Sequence, residues 1–120
     1  MKLIIPLTPP SGNRMRRYYR TPGRYRQLRY TWQRTIWALA GIKEKATLPK
    51  PEAGKKIRVG IHVEHKRLYD QDNLVAGCKV IPDVLKRLAF INDDSPDWID
   101  LQVTQEKSPN MRTILTLELV

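Results

Sequence analysis

The sequence contains a single cysteine, Cys78, so the chain cannot form an internal disulfide or a zinc site built on several cysteines. Long apolar stretches are also missing, both the length that a membrane span needs and the apolar core of a signal peptide near residue 1. These absences argue against a secreted disulfide scaffold and against a membrane protein. We therefore expect a soluble cytoplasmic protein with no membrane partner.

Acidic residues are scarce in the first half of the chain. Residues 1–50 carry 12 Lys or Arg against one acid, Glu44, whereas residues 51–120 carry 10 Lys or Arg against 11 acids. The formal net charge of the whole chain is +10, which favours nucleic acid or another anionic partner. With 120 residues, of which 41% are hydrophobic, the chain can bury one core, so we expect one domain over residues 1–120.

The hydrophobic periodicity predicts an alternation of strands and helices. Leu28, Trp32 and Ile36 follow helical spacing, whereas residues 57, 59, 61 and 63 are apolar at every second position, as in a half-buried strand. Pro82 falls inside a predicted helix, so we expect a kink or a restarted helix there. The predicted elements are strand 2–7, helix 24–45, strand 56–64, helix 72–88, and strands 98–106 and 111–120 as a hairpin. The β-α-β-α-β-β order predicts an α+β fold, a mixed sheet with two helices packed on it.

The segment 14–34 holds eight arginines, five aromatic residues and no acid. Solvated helix faces normally mix both signs of charge, so a purely basic and aromatic stretch indicates a surface that follows phosphates and stacks on bases. The residues of this segment that we assign to DNA contact are Arg14, Arg16, Arg17, Arg20 and Arg24.

Asp70-Gln71-Asp72-Asn73 lies between a predicted strand and a predicted helix. In an extended backbone Asp70 and Asp72 point to the same side, and two such carboxylates repel each other unless a cation or a proton bridges them. Mg²⁺ prefers oxygen ligands of this kind, together with substrate phosphate. The alternative is that Asp72 or Asn73 caps the helix and that Asp70 is a solvated loop residue.

A second acidic feature, Asn92-Asp93-Asp94-Ser95, follows the same helix. Because a helix of about sixteen residues is roughly 24 Å long, we expect Asp94 to approach the first acidic feature only if the next strand runs back along the sheet. The alternative is an ordinary turn. Lys79 lies two helical turns past Asp72, where its ammonium could stabilise charge on a phosphate; otherwise it is a solvated lysine.

The histidines and the cysteine, which can bind metals or act as nucleophiles, are interpreted as structural residues. His62 and His65 have a spacing that places them on opposite faces of a strand, so we expect solvated polar residues rather than metal ligands. Cys78 is expected to be a small core residue.

Taken together, these segments resemble the RusA family of Holliday junction resolvases. The matching pieces occur in order along nearly the whole chain: Pro9-Pro10-Ser11-Gly12-Asn13, Asp70-Gln71-Asp72-Asn73-Leu74, Lys79, Asp83-Val84-Leu85 and Asn92-Asp93-Asp94. The Lys79 match requires a short insertion around Ala76-Gly77-Cys78.

The resemblance implies a Mg²⁺-dependent endonuclease that acts as a homodimer on four-way DNA junctions, without a small-molecule cofactor. It implies that Asp70, Asp72 and Asp94 are catalytic residues and metal ligands, that Lys79 is catalytic, and that Asn13 lies in a loop close to DNA. Two alternatives remain: a non-catalytic nucleic-acid-binding module, in which the acids cap helices, and a metal-dependent nuclease for other branched DNA.

Overall fold

The strands of the computed structural model, which describes residues 1–48 and 54–120, form one mixed four-stranded sheet. The elements are β1 (Lys2–Ile5), α1 (Gly12–Arg20), α2 (Pro22–Thr47), β2 (Ile57–His65), α3 (Gln71–Gly77), α4 (Val80–Arg87), β3 (Ile99–Lys107) and β4 (Arg112–Leu119). The strand order is β1-β4-β2-β3, with β4 antiparallel to β1 and β2, and β3 parallel to β2. The α+β class and the mixed sheet are confirmed.

The predicted hairpin between the last two strands is wrong. β3 and β4 are neighbours in sequence but lie on opposite sides of β2 in the sheet. The connection at residues 108–111 is long enough to step across one strand, because neighbouring strands lie only about 4.8 Å apart. β2 is the most completely buried strand on its helix-facing side, and pairing on both of its edges gives it the central position that its apolar residues require.

The predicted helix 72–88 is found as two consecutive helices, α3 and α4. The predicted helix 24–45 corresponds to α2, whose backbone leaves the helical conformation at Gly41, and α1 was not predicted. Thr21 separates α1 from α2 at the sequence Thr21-Pro22-Gly23, and Pro22 occupies the first turn of α2, where the missing N–H costs nothing. Cys78 and Lys79 separate α3 from α4. Pro82 sits in the first turn of α4, so the restarted helix expected at this proline is confirmed.

The helices cover one face of the sheet and the other face is open to solvent. Residues of β2 alternate accordingly: Ile57, Val59 and Ile61 are buried in the core, whereas Arg58 and His62 are partly exposed. The core is a single cluster that includes residues of all four strands and all four helices. In the described part of the chain, no helix combines the length and the apolar composition that a membrane crossing requires.

Candidate acidic site and nucleic-acid interface

Asp70 is the N-cap of α3. One carboxylate oxygen accepts the backbone N–H of Asn73 at 2.9 Å, and the other accepts the Asn73 side-chain amide at 3.0 Å. This arrangement satisfies one of the free amides at the helix start. The alternative in which Asp72 or Asn73 caps the helix and Asp70 is a solvated loop residue is therefore wrong, because the cap is Asp70. An ionised carboxylate has about four acceptor positions, so capping leaves Asp70 able to bind a further cation.

Asp72 is exposed in the first turn of α3, two residues after the cap. Asp70 has extended dihedral angles but Gln71 already belongs to the helix, so the same-side geometry of an extended strand does not apply to this pair. The two carboxylates share the start of one helix instead. The free N–H groups at a helix start favour negative charge there, which offsets part of the repulsion between the two acids.

The start of α1 packs directly on α3 through two glycines. A Cβ built on Gly12 would lie 2.9 Å from both the Asn73 side-chain oxygen and the Ala76 Cβ, and a Cβ built on Gly77 would overlap the carbonyl oxygen of Pro10. Only residues without a side chain permit this approach. The sequence Pro10-Ser11-Gly12 therefore lies against the helix that carries Asp70 and Asp72.

The expected loop at Asn13 is instead the first turn of α1. Ser11 caps this helix, and its hydroxyl accepts the Arg14 N–H at 3.2 Å. Asn13 is exposed, as are the five arginines that the sequence assigns to DNA contact, namely Arg14, Arg16, Arg17, Arg20 and Arg24. Because α1 contacts α3, the basic segment and the first acidic feature belong to one continuous part of the molecule.

Tyr25 connects the basic segment to α4. Its hydroxyl donates a hydrogen bond to Asp83 at 3.1 Å, and the same carboxylate oxygen lies 3.5 Å from Arg87. The rings of Tyr19 and Tyr25 lie 5.0 Å apart. Burial, and then the Asp83 charge, raise the pKa of Tyr25 well above its ordinary value. Tyr25 therefore stays protonated as a donor and fixes the start of α2 on α4.

Gln105 of β3 holds the loop that leads to Asp70. Its side-chain nitrogen donates to the carbonyl of Tyr69 at 2.6 Å, and its oxygen accepts the Tyr69 N–H at 3.0 Å. The same oxygen lies 2.9 Å from His65 Nε2. Gln105 was not identified from the sequence. It occupies a position of β3 that faces the helices, where the alternating pattern otherwise places apolar residues. A polar side chain at such a position needs hydrogen-bond partners, and this was the signal that could have identified it.

The two histidines lie on opposite faces of β2, as the spacing predicts. His62 is on the open face, 3.1 Å from Glu106. His65 is buried against Gln105, and its ring meets the Tyr69 ring edge-on at 4.6 Å. The expectation of a solvated residue is therefore wrong for His65.

Cys78 and Lys79 form the junction between α3 and α4. The Cys78 side chain is in the core, as expected, and burial raises the pKa of its thiol to about 12. Lys79 is exposed and lies two residues after the end of α3, at the N-cap position of α4. Because the helix restarts at this junction, Lys79 and Asp72 lie on two successive helices rather than on one continuous face.

Asp94 lies at the opposite end of the parallel strand pair from Asp70. It precedes β3, and it borders a surface cavity together with Lys56 and Val120, which flank the start of β2 and the end of β4. From Asp94, β3 runs parallel to β2 toward the Asp70 end of the sheet, as expected. It is Gln105, however, and not Asp94, that lies beside Tyr69 at that end. Within residues 1–48 and 54–120, no group of three or more His, Cys, Asp or Glu side chains is placed to hold a metal ion.

The residues next to Asp94 already have partners. Asp93 lies 3.0 Å from Lys86, whose ammonium holds the pKa of that carboxyl below its usual range. Asp93, and more weakly Asp94, raise the pKa of Lys86. The second acidic feature is therefore partly neutralised by a lysine, whereas the first is stabilised by a helix start.

A scan against models of known protein families gives no match for this chain, and a search of curated proteins gives none either.

Proposed function

We propose that this protein is a Mg²⁺-dependent endonuclease that cuts four-way DNA junctions as a homodimer. The observation that carries the proposal is the close contact between α1 and α3. Through Gly12 and Gly77, this contact sets the Arg-rich segment directly beside the helix that begins with Asp70 and Asp72. A surface that binds DNA by phosphate contacts has no need of clustered carboxylates, whereas a metal-dependent nuclease needs both.

The donor set at the start of α3 fits magnesium. Asp70 and Asp72 offer carboxylate oxygens, and Asp70 keeps acceptor positions after capping. Mg²⁺ takes one or two carboxylates with water and substrate phosphate, so a pair of acids is a sufficient protein contribution. When bound, the ion would polarise a phosphoryl oxygen and lower the pKa of a coordinated water.

Substrate binding and the stabilisation of developing charge are carried out by side chains of the protein. The exposed arginines of α1 bind the phosphates on either side of the cut and fix the strand, which lowers the entropic part of the barrier. Lys79, at the junction between α3 and α4, stabilises negative charge as it develops on the phosphate or on the leaving oxygen. No serine or cysteine nucleophile is required, and Cys78 is buried as a neutral thiol.

A site that contains Asp94 as well requires the second protomer. Ile57 is bonded to Trp98 at the Asp94 end, and Val63 is paired with Gln105 at the Asp70 end. The six residue steps from Ile57 to Val63 span about 20 Å, whereas Mg²⁺ ligands lie about 2.1 Å from the ion. In the proposed homodimer, the Asp94 carboxylate is supplied to each site by the other copy.

Nicking of a synthetic four-way junction tests the activity. We expect Mg²⁺-dependent paired nicks from the wild-type protein. Asp70→Asn keeps the N-cap, because Asn caps a helix as well as Asp does, but it removes the charge that holds the metal. We expect this variant to bind the junction at least as tightly and to leave it uncut. Wild-type nicking by Asp70→Asn would refute the assignment.

Mixing two inactive variants tests the shared site. Asp70→Asn and Asp94→Asn proteins, unfolded and refolded together, form mixed dimers that contain one intact site if the acids come from different copies. Random pairing then restores roughly a quarter of the wild-type sites. No recovery on mixing would show that the acids do not join across the dimer.

The capping role of Asp70 favours one alternative function, a non-catalytic nucleic-acid-binding module. In that case all divalent-ion concentrations leave the junction intact, and Asp70→Asn changes neither stability nor binding. A binding-competent wild-type preparation that never nicks any branched DNA would establish this alternative.

A further inference from the structure

A basic cavity between α2 and α4 has no part in the acidic site. It has a volume of about 390 Å³, which is within the range of small-molecule pockets. Its lining residues are Gln33, Arg34, Trp37, Lys45, Arg87 and Leu88. These residues lie on α2 and at the end of α4, and none of the described lining residues belongs to α1 or α3, so this cavity does not include the contact between those two helices.

The lining of the cavity combines one exposed indole with three cations. Trp37 is 38% exposed, although it packs on the buried ring of Phe90 at a centroid distance of 6.5 Å. Phe90 thereby holds one side of the indole and leaves another side open to the cavity. Arg87 is also 3.5 Å from Asp83, which fixes its guanidinium at the cavity edge. Among the described residues that line this cavity there is no acid.

A second hollow continues from this cavity along α2. It shares Arg34 with the first and is otherwise lined by Gln27, Tyr30 and Thr31. Tyr30 is 50% exposed, and the guanidinium of Arg29 lies 5.6 Å from its ring centre. Tyr30 and Trp37 are seven residues apart, about 10.5 Å along the helix, which equals roughly three nucleotides of a stacked strand. Arg34 lies between them.

We propose that this cavity and hollow bind single-stranded nucleic acid, with one base stacked on Trp37, a nearby base on Tyr30, the phosphates between them held by Arg34, and a phosphate beyond Trp37 held by Lys45. Aromatic platforms separated by cations are what an unpaired strand requires, since every base has a face that can stack and every link has a phosphate. A duplex buries its base faces and could use only the cations. The proposal deepens the proposed function by naming an unpaired strand beside the branch point as part of the substrate.

Tryptophan fluorescence can follow this binding directly. The probe is oligothymidylate of about ten nucleotides, a length within the range of single-strand sites, added in the presence of EDTA so that no cleavage can occur. Trp32 is only 1% exposed, whereas Trp98, beside the start of β3, is partly exposed. The part of the quenching that is lost in Trp37→Phe therefore reports on Trp37. We expect saturable quenching in the wild-type protein, and less quenching with a duplex of the same length.

The variants separate stacking from charge. Trp37→Ala should weaken binding on the order of tenfold, and Trp37→Phe, which keeps an aromatic ring on Phe90, should stay close to wild type in a gel-based assay. Arg34→Gln and Lys45→Gln should each lower the salt dependence by about 0.7. Lys107→Gln removes an exposed cation at the far end of β3 and should change neither quantity. Thermal unfolding of each variant checks that it is folded.

Two results would overturn the proposal: wild-type affinity in Trp37→Ala, or equal binding and quenching by polyglutamate, which would mark an anion surface for acidic peptides. Oligothymidylate and oligouridylate both offer stackable bases and phosphates. The one that binds with the lower dissociation constant shows whether the site prefers DNA or RNA. Because the assay needs neither metal nor Asp70, a protein that never nicks a junction could still show this binding, and an active nuclease could lack it.

Discussion

The two ends of the parallel pair β2 and β3 carry carboxylates in very different surroundings. At the Asp70 end, a helix start, two close glycine contacts and the Gln105 side chain fix the acid from three directions. At the other end, Asp94 borders an open cavity of about 500 Å³. Asp70 is therefore held in place by the fold of its own chain, whereas Asp94 is a surface residue that can contribute to a site only if a second copy binds there.

The charge around the two acids differs in the same way. The helix start at Asp70 provides N–H groups, which favour a carboxylate without removing its negative charge. Near Asp94, Lys86 provides a full positive charge, and it is already engaged with Asp93. A cation would therefore find an uncompensated carboxylate pair at Asp70 and Asp72, and a partly neutralised one at Asp93 and Asp94.

The largest effect on stability is expected from adding a side chain to Gly77, the glycine that packs against Pro10 at the Asp70 end. Gly77→Ala places a Cβ on the Pro10 carbonyl oxygen, a backbone atom that cannot turn aside. We expect α1 to separate from α3 and the free energy of unfolding to fall by about 3 kcal/mol. This loss occurs although Ala is the better helix former by about 1 kcal/mol. Urea unfolding measures the loss.

The matched control is Gly23→Ala in the first turn of α2. A Cβ on Gly23 meets no atom within 4 Å, so we expect unchanged or slightly higher stability, by up to about 1 kcal/mol. If both substitutions had the same effect, the close approach of α1 to α3 would not be the feature that supports the Asp70 end.

Removal of the Gln105 amide is expected to have the next largest effect. Gln105→Leu leaves both the N–H and the carbonyl of Tyr69 without their partner, which costs about 2 kcal/mol. The loop before Asp70 then loosens, so we also expect a higher Mg²⁺ concentration for half-maximal nicking. Gln102→Leu, at an exposed position of the same strand, should stay within about 0.5 kcal/mol of wild type. An unchanged Mg²⁺ requirement in Gln105→Leu would limit Gln105 to a structural role.

The cap at Asp70 is expected to have a smaller effect. Asp70→Ala removes the acceptor for the Asn73 N–H and should lower stability by about 1 kcal/mol, or roughly 3–6 °C in Tm. Asp70→Asn should stay near wild type, since Asn is an equally good cap. Equal losses in the two variants would mean that the charge of Asp70, rather than its capping hydrogen bond, stabilises α3.

Local patterns were sufficient to predict most of the elements. Alternation identified β2 within one residue at each end, and Pro82 identified the restart of a helix. Which strands become neighbours depends on long-range pairing, which local patterns do not contain. For that reason the two strands on either side of the turn at Lys107-Ser108-Pro109-Asn110 predicted a hairpin. In the structure β2 lies between them and is paired with β4 on one edge and with β3 on the other.

The acidic site was predictable only as a set of residue types. Asp70 and Asp72 are recognisable in the sequence because they lie between a predicted strand and a predicted helix. The role of Asp70 as the N-cap was not predictable, because the helix starts at Gln71, one residue earlier than predicted. Gln105 lies 35 residues after Asp70, and only the parallel pairing of β3 with β2 brings it to the same loop. Contacts between distant segments of this kind leave no local signal.

The smallest effect on stability is expected at Asp94, and it provides the sharpest contrast with Asp70. Asp94→Ala removes an exposed side chain, and Lys86, whose pKa its charge raises, is already engaged with Asp93. We therefore expect a change of less than about 0.5 kcal/mol in the free energy of unfolding. Nicking should nevertheless be lost if Asp94 serves the site of the second copy. Urea unfolding and junction nicking, measured on one preparation, separate the two quantities. A destabilisation as large as that of Asp70→Ala would show that the Asp94 end is also held by its carboxylate. The contrast between a preorganised acid and a surface acid would then fail.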